Sequence, residues 1–513
     1  MMGLAMETLK RILLAGGATL ALAAAAQAAD APTEKAPPPA PAANCFASVW
    51  TWLDSTANDC PLSMGPFTVY GQVDVGFGYE TAGAAFNKYW LLGVEELIGR
   101  QSKKAMWQLV PNGLSQSNLG VKFRQPLIGD ISLIGDLNFG FDPYSLQFAN
   151  GPASLHENNT TPQYWQTSSG DSSRAGLIDN GRAYLGLASP TYGTLTAGRQ
   201  LTFADTVSIA YDSMAGAYAF GLTGNPLLVL GTGITETARY NTSVEYVYDY
   251  NHLVHAGALV QVGGWEELNA SQSAYQFDVG GNYAGFSFDA VYAYDKDAIA
   301  LSAYGGPLPA GVAPNDLKAT LADLDAFALF GKYTWGQLTL YGGYLHERFT
   351  NPSDTSFPNG IPEVAGGYAV APNSVYPGSI NTTAYTIPKI QQVAWGGAKY
   401  ALRSDLDIAA AYYEAWQNNY SGSTCVANTV TVPGAPLGTH QGTNTPYNNN
   451  TLRKAVGNCA GNEPAVAFLV DYRPFKRVDT YAGINYSGVT GGMAAGYIKS
   501  SNTAFTTGVR LSF

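Results

Sequence analysis

The chain has 513 residues and a formal net charge of -11, and only 13% of its residues are charged. Soluble domains carry about 25% charged residues, so this composition favours a membrane protein. The mean hydropathy of -0.05 is too low for a helical membrane protein, and no stretch after residue 28 approaches the roughly 20 apolar residues of a membrane helix. The acidic balance argues against nucleic acid as a partner, because phosphate binding needs a basic face.

Residues 1–28 have the pattern of a secretory signal peptide. Lys10 and Arg11 form the positive n-region, an apolar stretch follows to Leu22, and Ala26-Gln27-Ala28 supplies a small-x-small cleavage site. The alternative is an N-terminal membrane anchor. It is disfavoured because the apolar stretch is short and no stop-transfer flank follows. We therefore expect an exported protein whose signal peptide is cleaved.

Residues 29–66 contain a Pro/Ala-rich linker followed by a short cysteine-containing segment. The four cysteines fall into two local pairs, Cys45 with Cys60 and Cys425 with Cys459. An exported protein meets an oxidising compartment, so two disulfides are expected. Free thiols or a metal site are the alternatives, although zinc usually requires closer spacing than these pairs have.

From residue 67 to the C-terminus the apolar residues repeat with a period of two, which indicates half-buried β-strands. In the last segment, every second residue from Phe505 to Phe513 shares one face, while Thr506, Gly508 and Arg510 share the other. We predict sixteen strands, at about 67–80, 115–125, 130–142, 181–188, 193–200, 239–250, 253–263, 274–284, 286–295, 325–334, 337–347, 391–402, 405–415, 464–473, 476–486 and 504–513.

Short turns and long connections alternate between these predicted strands. This asymmetry is typical of outer-membrane barrels, which have tight turns at one rim and long loops at the other. A sheet in hydrocarbon must close on itself, because unpaired backbone groups find no water there. The sequence therefore predicts an all-β fold, an antiparallel transmembrane β-barrel over residues 67–513. Its surroundings would be the lipid of the bacterial outer membrane.

The inward positions of the predicted strands carry charged side chains, among them Asp74, Asp136, Glu245 and Arg510. Sixteen tilted strands enclose an interior too wide for such side chains to fill. The sequence thus predicts a water-filled channel for small hydrophilic solutes and ions. Nucleophile–base, HExxH and phosphate-loop motifs are missing, so we expect no enzyme, no cofactor and no metal site.

Three segments resemble the general porins of Gram-negative bacteria. They are residues 182–200, RAYLGLASPTYGTLTAGRQ; residues 471–481, DYRPFKRVDTY; and the C-terminal GVRLSF, which ends at Phe513. The segment around Cys45 and Cys60 is similar to one in some alphaproteobacterial porins. The resemblance implies a sixteen-stranded barrel that forms a homotrimer. It also implies that Phe513 is the signal read by the barrel-assembly machinery.

The resemblance further implies that the loop after the fifth strand, about residues 201–238, folds inward as a constriction loop. Acidic residues of this loop would face a basic cluster on the opposite wall, and the resulting transverse field would filter solutes. The acidic candidates are Asp205, Asp212 and Glu236. The basic candidates are Lys122, Arg124, Arg182, Arg199 and Arg239.

The leading functional hypothesis is a general diffusion porin. One alternative is a substrate-selective channel of the same architecture, and another is a surface adhesin or structural barrel whose long loops carry the function. A barrel with a lipase-like activity is disfavoured by the missing nucleophile–base motif.

Overall fold

A computed structural model of the protein describes residues 45–83, 96–98, 102, 104–144, 146, 181–222, 239–262, 274–301, 319–351, 368–371, 379–382, 385–420, 422, 439–440, 443–446, 459–494 and 499–513. The predicted signal peptide, the Pro/Ala-rich linker, Glu236 and Cys425 lie outside these residues. The chain divides into two units, Met1–Ala47 and Ser48–Phe513. Of the first unit only the turn at 45–47 is described, and the architecture that follows is that of the second.

Antiparallel strands make up most of the described part of this unit. The sheet contains β1 (Leu62–Met64), β2 (Phe67–Gly83), β3 (Lys104–Pro111), β4 (Asn118–Pro126), β5 (Ser132–Gly140), β6 (Ala183–Ser189), β7 (Gly193–Leu201), β8 (Arg239–Tyr250), β9 (Val254–Gln261), β10 (Ala274–Tyr283), β11 (Phe286–Leu301), β12 (Ala319–Trp335), β13 (Leu338–Thr350), β16 (Lys389–Arg403), β17 (Leu406–Gln417), β20 (Gly461–Phe475), β21 (Val478–Gly488) and β22 (Ser501–Ser512).

Smaller elements lie between these strands. The pair β14 (Tyr368–Ala371) and β15 (Ser379–Thr382) and the pair β18 (Thr439–His440) and β19 (Thr443–Pro446) form separate hairpins. The helices in the described part of the chain are α1 (Val49–Leu53), α2 (Phe203–Ala210) and a 3-10 turn at Gly491–Ala494. Among the described residues, no helix is both long enough and apolar enough to cross a membrane.

The sheet closes because its first long strand pairs with its last. β2 and β22 run antiparallel from Gln72 opposite Ser512 to Glu80 opposite Ala504. At the end of this seam the backbones of Gly71 and Phe513 exchange two hydrogen bonds of 2.9 Å each. The result is a closed barrel of sixteen antiparallel strands, which confirms the predicted fold class.

The second strand of the barrel is longer than predicted and is interrupted. Both β3 and β4 pair with β2 on the same side, so they form one strand of the barrel, while residues 112–117 between them leave the sheet. Asn112 has a positive φ of 61°. This break ends the alternating pattern, and it explains why the sequence predicted a strand that starts only at residue 115.

Asp74 of β2 holds the interrupting segment in place. Its Oδ2 accepts hydrogen bonds from the backbone N–H groups of Leu114 at 2.7 Å and Ser115 at 3.0 Å. Its Oδ1 accepts one from the Tyr481 hydroxyl at 2.8 Å. Leu114 is buried within the apolar cluster of the barrel interior. The segment therefore enters the interior as a fixed inward turn.

The outer face of the barrel is apolar. Large side chains that alternate with the inward positions are exposed there, including Val69, Phe77, Leu137, Leu185, Leu195, Phe277, Leu329, Phe468, Phe505 and Val509. A soluble protein rarely exposes a continuous apolar surface of this kind. Exposed aromatic side chains also border the short turns, namely Tyr192, Tyr250, Tyr283, Trp335, Tyr400 and Tyr472. Such a girdle is typical of the membrane interface.

The segment before the barrel is fixed at the short-turn rim. Cys45 and Cys60 are both disulfide-bonded, as predicted. Cys459 is also disulfide-bonded, and its predicted partner Cys425 lies outside the described residues.

Arg477, in the turn between β20 and β21, contacts the segment that precedes the barrel, at residues 52–60. Its guanidinium donates to the carbonyl oxygens of Trp52 at 2.9 Å, Thr56 at 3.0 Å and Cys60 at 2.7 Å. It also lies over the Trp52 ring, 4.5 Å from the ring centroid. Because three carbonyls and a ring surround one guanidinium, α1 and the following turn are held against the β20–β21 connection.

Deletion of Phe513 is expected to impair barrel formation. The deletion removes the two backbone hydrogen bonds to Gly71 that end the seam, a loss of about 1–3 kcal/mol for two bonds. We expect less folded protein in the outer membrane, measured by heat-modifiable mobility in gels. Phe505→Leu, a change on the exposed outer face of the same strand, is the matched control. A folded yield equal to that of the wild type would contradict the role of Phe513.

Candidate functional site

The loop that follows β7 enters the barrel interior immediately. Its first helix, α2, begins after Thr202, whose hydroxyl accepts a hydrogen bond from the Asp205 backbone N–H at 3.3 Å. The Phe203 ring packs against Gly257 of β9. A Cβ at position 257 would lie only 2.6 Å from this ring. Gln276 of β10 accepts a hydrogen bond from the Ala204 backbone N–H at 2.9 Å. The start of the loop is thus attached to the wall of β9 and β10.

The loop then follows the inner wall from β16 to β21. The Trp395 indole donates to the Tyr211 carbonyl oxygen at 2.9 Å, and the Ser213 hydroxyl donates to the Ala410 carbonyl oxygen at 3.1 Å. Further on, the Asn485 side chain donates to the Ala219 carbonyl oxygen at 3.1 Å. These contacts hold residues 203–222 against one side of the interior.

The end of the described loop meets the inward turn of the second strand. The Ala219 backbone N–H donates to the Gly113 carbonyl oxygen at 2.9 Å, and Phe220 makes an edge-on ring contact with Tyr481. The loop is therefore held at its start, along its length and at its end.

Small residues on the inner wall make room for the loop. The buried inward positions there are Ala293, Ala326, Ala328, Ala409, Ala411, Ala415, Ala465 and Ala467. A Cβ at Gly397 would overlap the Ser213 hydroxyl, and a Cβ at Gly483 would lie 2.6 Å from the Phe220 ring. Sequence reasoning missed this function of the wall. Its signal is alanine or glycine at successive inward positions of neighbouring strands.

Asp212 organises the turn that follows α2. Its Oδ1 accepts hydrogen bonds from the Met214 backbone N–H at 3.1 Å and the Tyr413 hydroxyl at 2.6 Å. Its Oδ2 accepts from the backbone N–H groups of Gly216 at 3.0 Å and Leu222 at 3.1 Å. The residue is only 3% exposed, and burial raises the pKa of its carboxyl while these four donors lower it. Both oxygens are engaged in fixing the loop to itself and to β17.

The wall formed by β4, β5 and the start of β6 faces the interior with charged groups. Arg182 lies 3.1 Å from the Asp136 carboxylate, and the Tyr70 hydroxyl donates to the same carboxylate at 2.6 Å. The Lys122 ammonium lies over the Tyr70 ring, 4.6 Å from its centroid. Lys122 and Arg124 are exposed although they occupy inward positions. This part of the interior is therefore wet.

Asp205 of α2 is electrostatically coupled to this wall. Burial raises the pKa of Asp205 to about 7, while the positive charge of Arg182 lowers it. Glu245 of β8 also interacts with Arg182. Among the predicted site residues, Asp205 and Arg182 therefore lie close enough to influence each other electrostatically, and their constriction roles stay predictions.

The other predicted basic residues lie at strand ends. Arg199 stands opposite Ala183 in register, next to a bulge in the pairing of β7 with β8, and its Nε donates to the Gly181 carbonyl oxygen at 3.1 Å. Arg239 begins β8 opposite Leu201. The constriction roles predicted for Arg199, Arg239 and Asp212 stay predictions.

A second charged cluster lies between the loop and the short-turn rim. Asp407 is 3.1 Å from Lys399 and 3.0 Å from Arg473, and Arg473 is also 3.0 Å from Asp471. These side chains line a cavity of about 200 Å³ whose other side is the loop turn with Ser213. Polar, charged walls therefore continue on the rim side of the loop.

The interior is thus divided into two parts. Small residues pack against the loop, whereas charged side chains line the wall of β4–β6 and the region between the loop and the short-turn rim. An apolar outer face and a partly wet interior define a transmembrane β-barrel channel with an inward-folded loop.

Comparison with known proteins gives the family. A family model described as Gram-negative porin matches residues 18–492. The chain belongs to the Gram-negative porin family, and it is an outer-membrane channel for passive diffusion. No curated protein matches the sequence.

Solved structures have the same fold. An anion-selective porin from Comamonas acidovorans is 14% identical, with a TM-score of 0.52, over 87% of this chain and 99% of the other. OmpT, an outer membrane protein of Vibrio cholerae, is 16% identical, with a TM-score of 0.50, over 88% of this chain and 100% of the other.

Asp212→Asn is expected to loosen the loop. Either orientation of the amide places its NH2 group against at least one backbone N–H, that of Met214 or those of Gly216 and Leu222, and each unsatisfied buried group costs about 1–3 kcal/mol. We expect increased open-channel current noise in planar bilayers. Tyr413→Phe removes only one of the four hydrogen bonds and should increase the noise less. Equal noise in Asp212→Asn and the wild type would rule out this anchoring role.

Proposed function

We propose that the protein is a general diffusion porin whose constriction lies between the loop and the wall of β4–β8. The observation that carries this proposal is the exposure of Lys122 and Arg124 at inward positions. Within the described part of the loop, the exposed side chains are the uncharged Thr206, Ala210 and Ala215. A pore edge of small neutral groups facing a charged wall offers no tight binding site and suits small hydrophilic solutes and ions.

Within this constriction we assign the acidic role to Asp205 and the basic role to Arg182, Lys122 and Arg124. Arg182 lowers the pKa of Asp205, which supports an electrostatic interaction between the two charges. A field between a loop carboxylate and a basic wall would orient polar solutes in a narrow space. Arg199, Arg239, Asp212 and Glu236 remain further candidates for this field.

The assembly and the export route are also proposals. The three sequence segments that resemble general porins support a homotrimer, with Phe513 recognised by the barrel-assembly machinery. The pattern of residues 1–28 supports export through a cleaved signal peptide. A passive channel needs no catalytic group, and we expect no enzymatic activity.

Neutralising the basic wall should shift the ion selectivity of the channel towards cations. A unit charge about 5 Å from the ion path in water contributes about 0.8 kcal/mol, or roughly fourfold in relative permeability. Arg182→Gln and Lys122→Gln should each raise the cation/anion permeability ratio by roughly two- to fourfold, measured as a reversal potential under a salt gradient. Arg403→Gln, which removes a charge beside the β16–β17 turn, is the control.

The outcome separates the hypotheses. An unchanged ratio in both Arg182→Gln and Lys122→Gln would exclude the proposed wall from the constriction. Current that saturates with one particular sugar or amino acid would instead favour the substrate-selective channel. If liposomes containing the protein admitted no solute, the adhesin or structural barrel would be favoured.

The selectivity should depend on pH. Because burial raises the pKa of Asp205 to about 7, its carboxyl is mostly neutral at pH 6 and mostly charged at pH 8. The cation/anion permeability ratio should therefore rise between these values, and Asp205→Asn should remove its part of the rise. Asp130→Asn is the control, because hydrogen bonds from Thr191 and Ser189 keep the pKa of that carboxyl low. An identical profile in Asp205→Asn and the wild type would contradict the assignment.

A further inference from the structure

Three neighbouring strands bring a histidine and two aspartates together on the inner wall. Gly280 of β10 stands in register with His255 of β9 on one side and with Asp289 of β11 on the other. A Cβ at position 280 would overlap the Asp289 carboxylate and lie 2.6 Å from the His255 ring. Because Gly280 has no side chain, His255 and Asp289 can contact each other across β10. Asp278, two residues before Gly280, lies on the same face.

The three side chains are in direct contact. His255 Nε2 lies 2.6 Å from Asp289 Oδ1 and 3.3 Å from Asp278 Oδ2. Asp278 is 7% exposed, and its Oδ1 is buried without a hydrogen-bond partner among the described residues. The His255 side chain is 22% exposed, so it forms the accessible side of the group.

The donor set is that of a divalent cation site. One imidazole nitrogen and two carboxylate oxygens lie within 4.8 Å of one another. Zinc bonds of about 2.0–2.2 Å to such ligands separate tetrahedral ligand atoms by about 3.4 Å. Small side-chain rotations bring the three atoms to that spacing, and water from the lumen can fill the fourth position.

We propose that His255, Asp278 and Asp289 form a lumen-facing binding site for a divalent transition-metal cation such as Zn²⁺. The mixed nitrogen and oxygen donors favour such an ion over Ca²⁺ or Mg²⁺, which prefer oxygen ligands alone. The cation takes the place of the proton on Nε2 and satisfies the second oxygen of Asp278. Two carboxylates and a neutral imidazole leave the occupied site with no net charge.

The site also contacts the constriction loop. The Tyr211 side chain, at the end of α2, lies close enough to Asp289 and Asp278 for their charges to act on its hydroxyl. On the other side of Tyr211, the Lys332 ammonium lies 5.1 Å from the ring centroid. A cation that binds Asp289 and Asp278 therefore changes the charge beside Tyr211. A cation bound at this site reduces the net negative charge of the wall beside the loop.

Isothermal titration of the detergent-purified protein with ZnCl2, after removal of metals with a chelator, tests the site directly. We expect binding of one Zn²⁺ in the wild type. His255→Ala and Asp278→Asn should each weaken it by at least about tenfold, since even the loss of a second-shell partner costs about 10- to 100-fold. Both variants are first checked for the heat-modifiable mobility of a folded barrel, and Asp278→Asn keeps the shape of the side chain should His255→Ala fail to fold.

His252→Ala is the matched control. His252 also pairs with an aspartate, Asp249 at 3.1 Å, but its side chain is 94% exposed at the rim, and within the described ranges it belongs to no group of three potential metal ligands. Zinc binding should be unchanged in this variant. Binding that weakens only in His252→Ala would move the site to the rim and overturn the proposal.

A bilayer measurement tests whether the site faces the ion path. Saturating Zn²⁺ should lower the cation/anion permeability ratio of the wild type and leave that of Asp278→Asn unchanged. The proposal is overturned if the wild type binds no Zn²⁺, if both variants bind it with wild-type affinity, or if zinc shifts the ratio equally in the wild type and Asp278→Asn. None of these results depends on whether Arg182 and Asp205 form the constriction.

Discussion

Every backbone amide of the membrane-spanning sheet must find its partner inside the sheet, because hydrocarbon offers none. The pairing of β2 with β22 meets this requirement and leaves the sheet without an edge. Once the sheet is closed, the strands themselves supply the hydrogen-bond partners of the backbone. The inward side chains then no longer have to form a solid core. The barrel uses this freedom in two ways, with small residues where the loop packs and charged residues on β4–β6 and between the loop and the short-turn rim.

The small-residue side explains how a loop can lie within a channel without blocking it. Alanines on β11, β12, β17 and β20 and glycines such as Gly397 and Gly483 bring the loop backbone close to the wall. Hydrogen bonds from Trp395 and Asn485 then hold its carbonyl groups. Because the loop is packed as tightly as a protein core, the opening opposite to it has a fixed edge. In the proposed function, the exposed charges of β4 face this edge and act on the solutes that pass.

Much of the fold could be predicted from the sequence, because a strand that faces lipid on one side and water on the other must alternate, and short turns mark its ends. The strand at 104–111 was missed because Asn112 and the inward turn interrupt that alternation. Contacts between distant strands could not be predicted. The turn at Gly285 places β10 beside β11, but a long connection separates β9 from β10, so the sequence does not fix the register of His255 against Asp278 and Asp289. Asp212 was recognised as important, whereas its partner Tyr413 is distant in the chain.

The contacts of Arg477 have a consequence for how the strands are aligned. Its guanidinium is held by carbonyl groups of the disulfide-closed segment that precedes β2, and its own carbonyl oxygen accepts a hydrogen bond from Ser512 of β22 at 2.8 Å. One residue thus touches both the beginning and the end of the barrel. A shift of β21 by a single position would turn every lipid-facing side chain of that strand inward. It would also break the hydrogen bonds that Arg477 donates to these carbonyl groups. The hydrogen bonds between Arg477 and the segment around Cys60 can therefore form in only one register of the hairpin of β21 and β22.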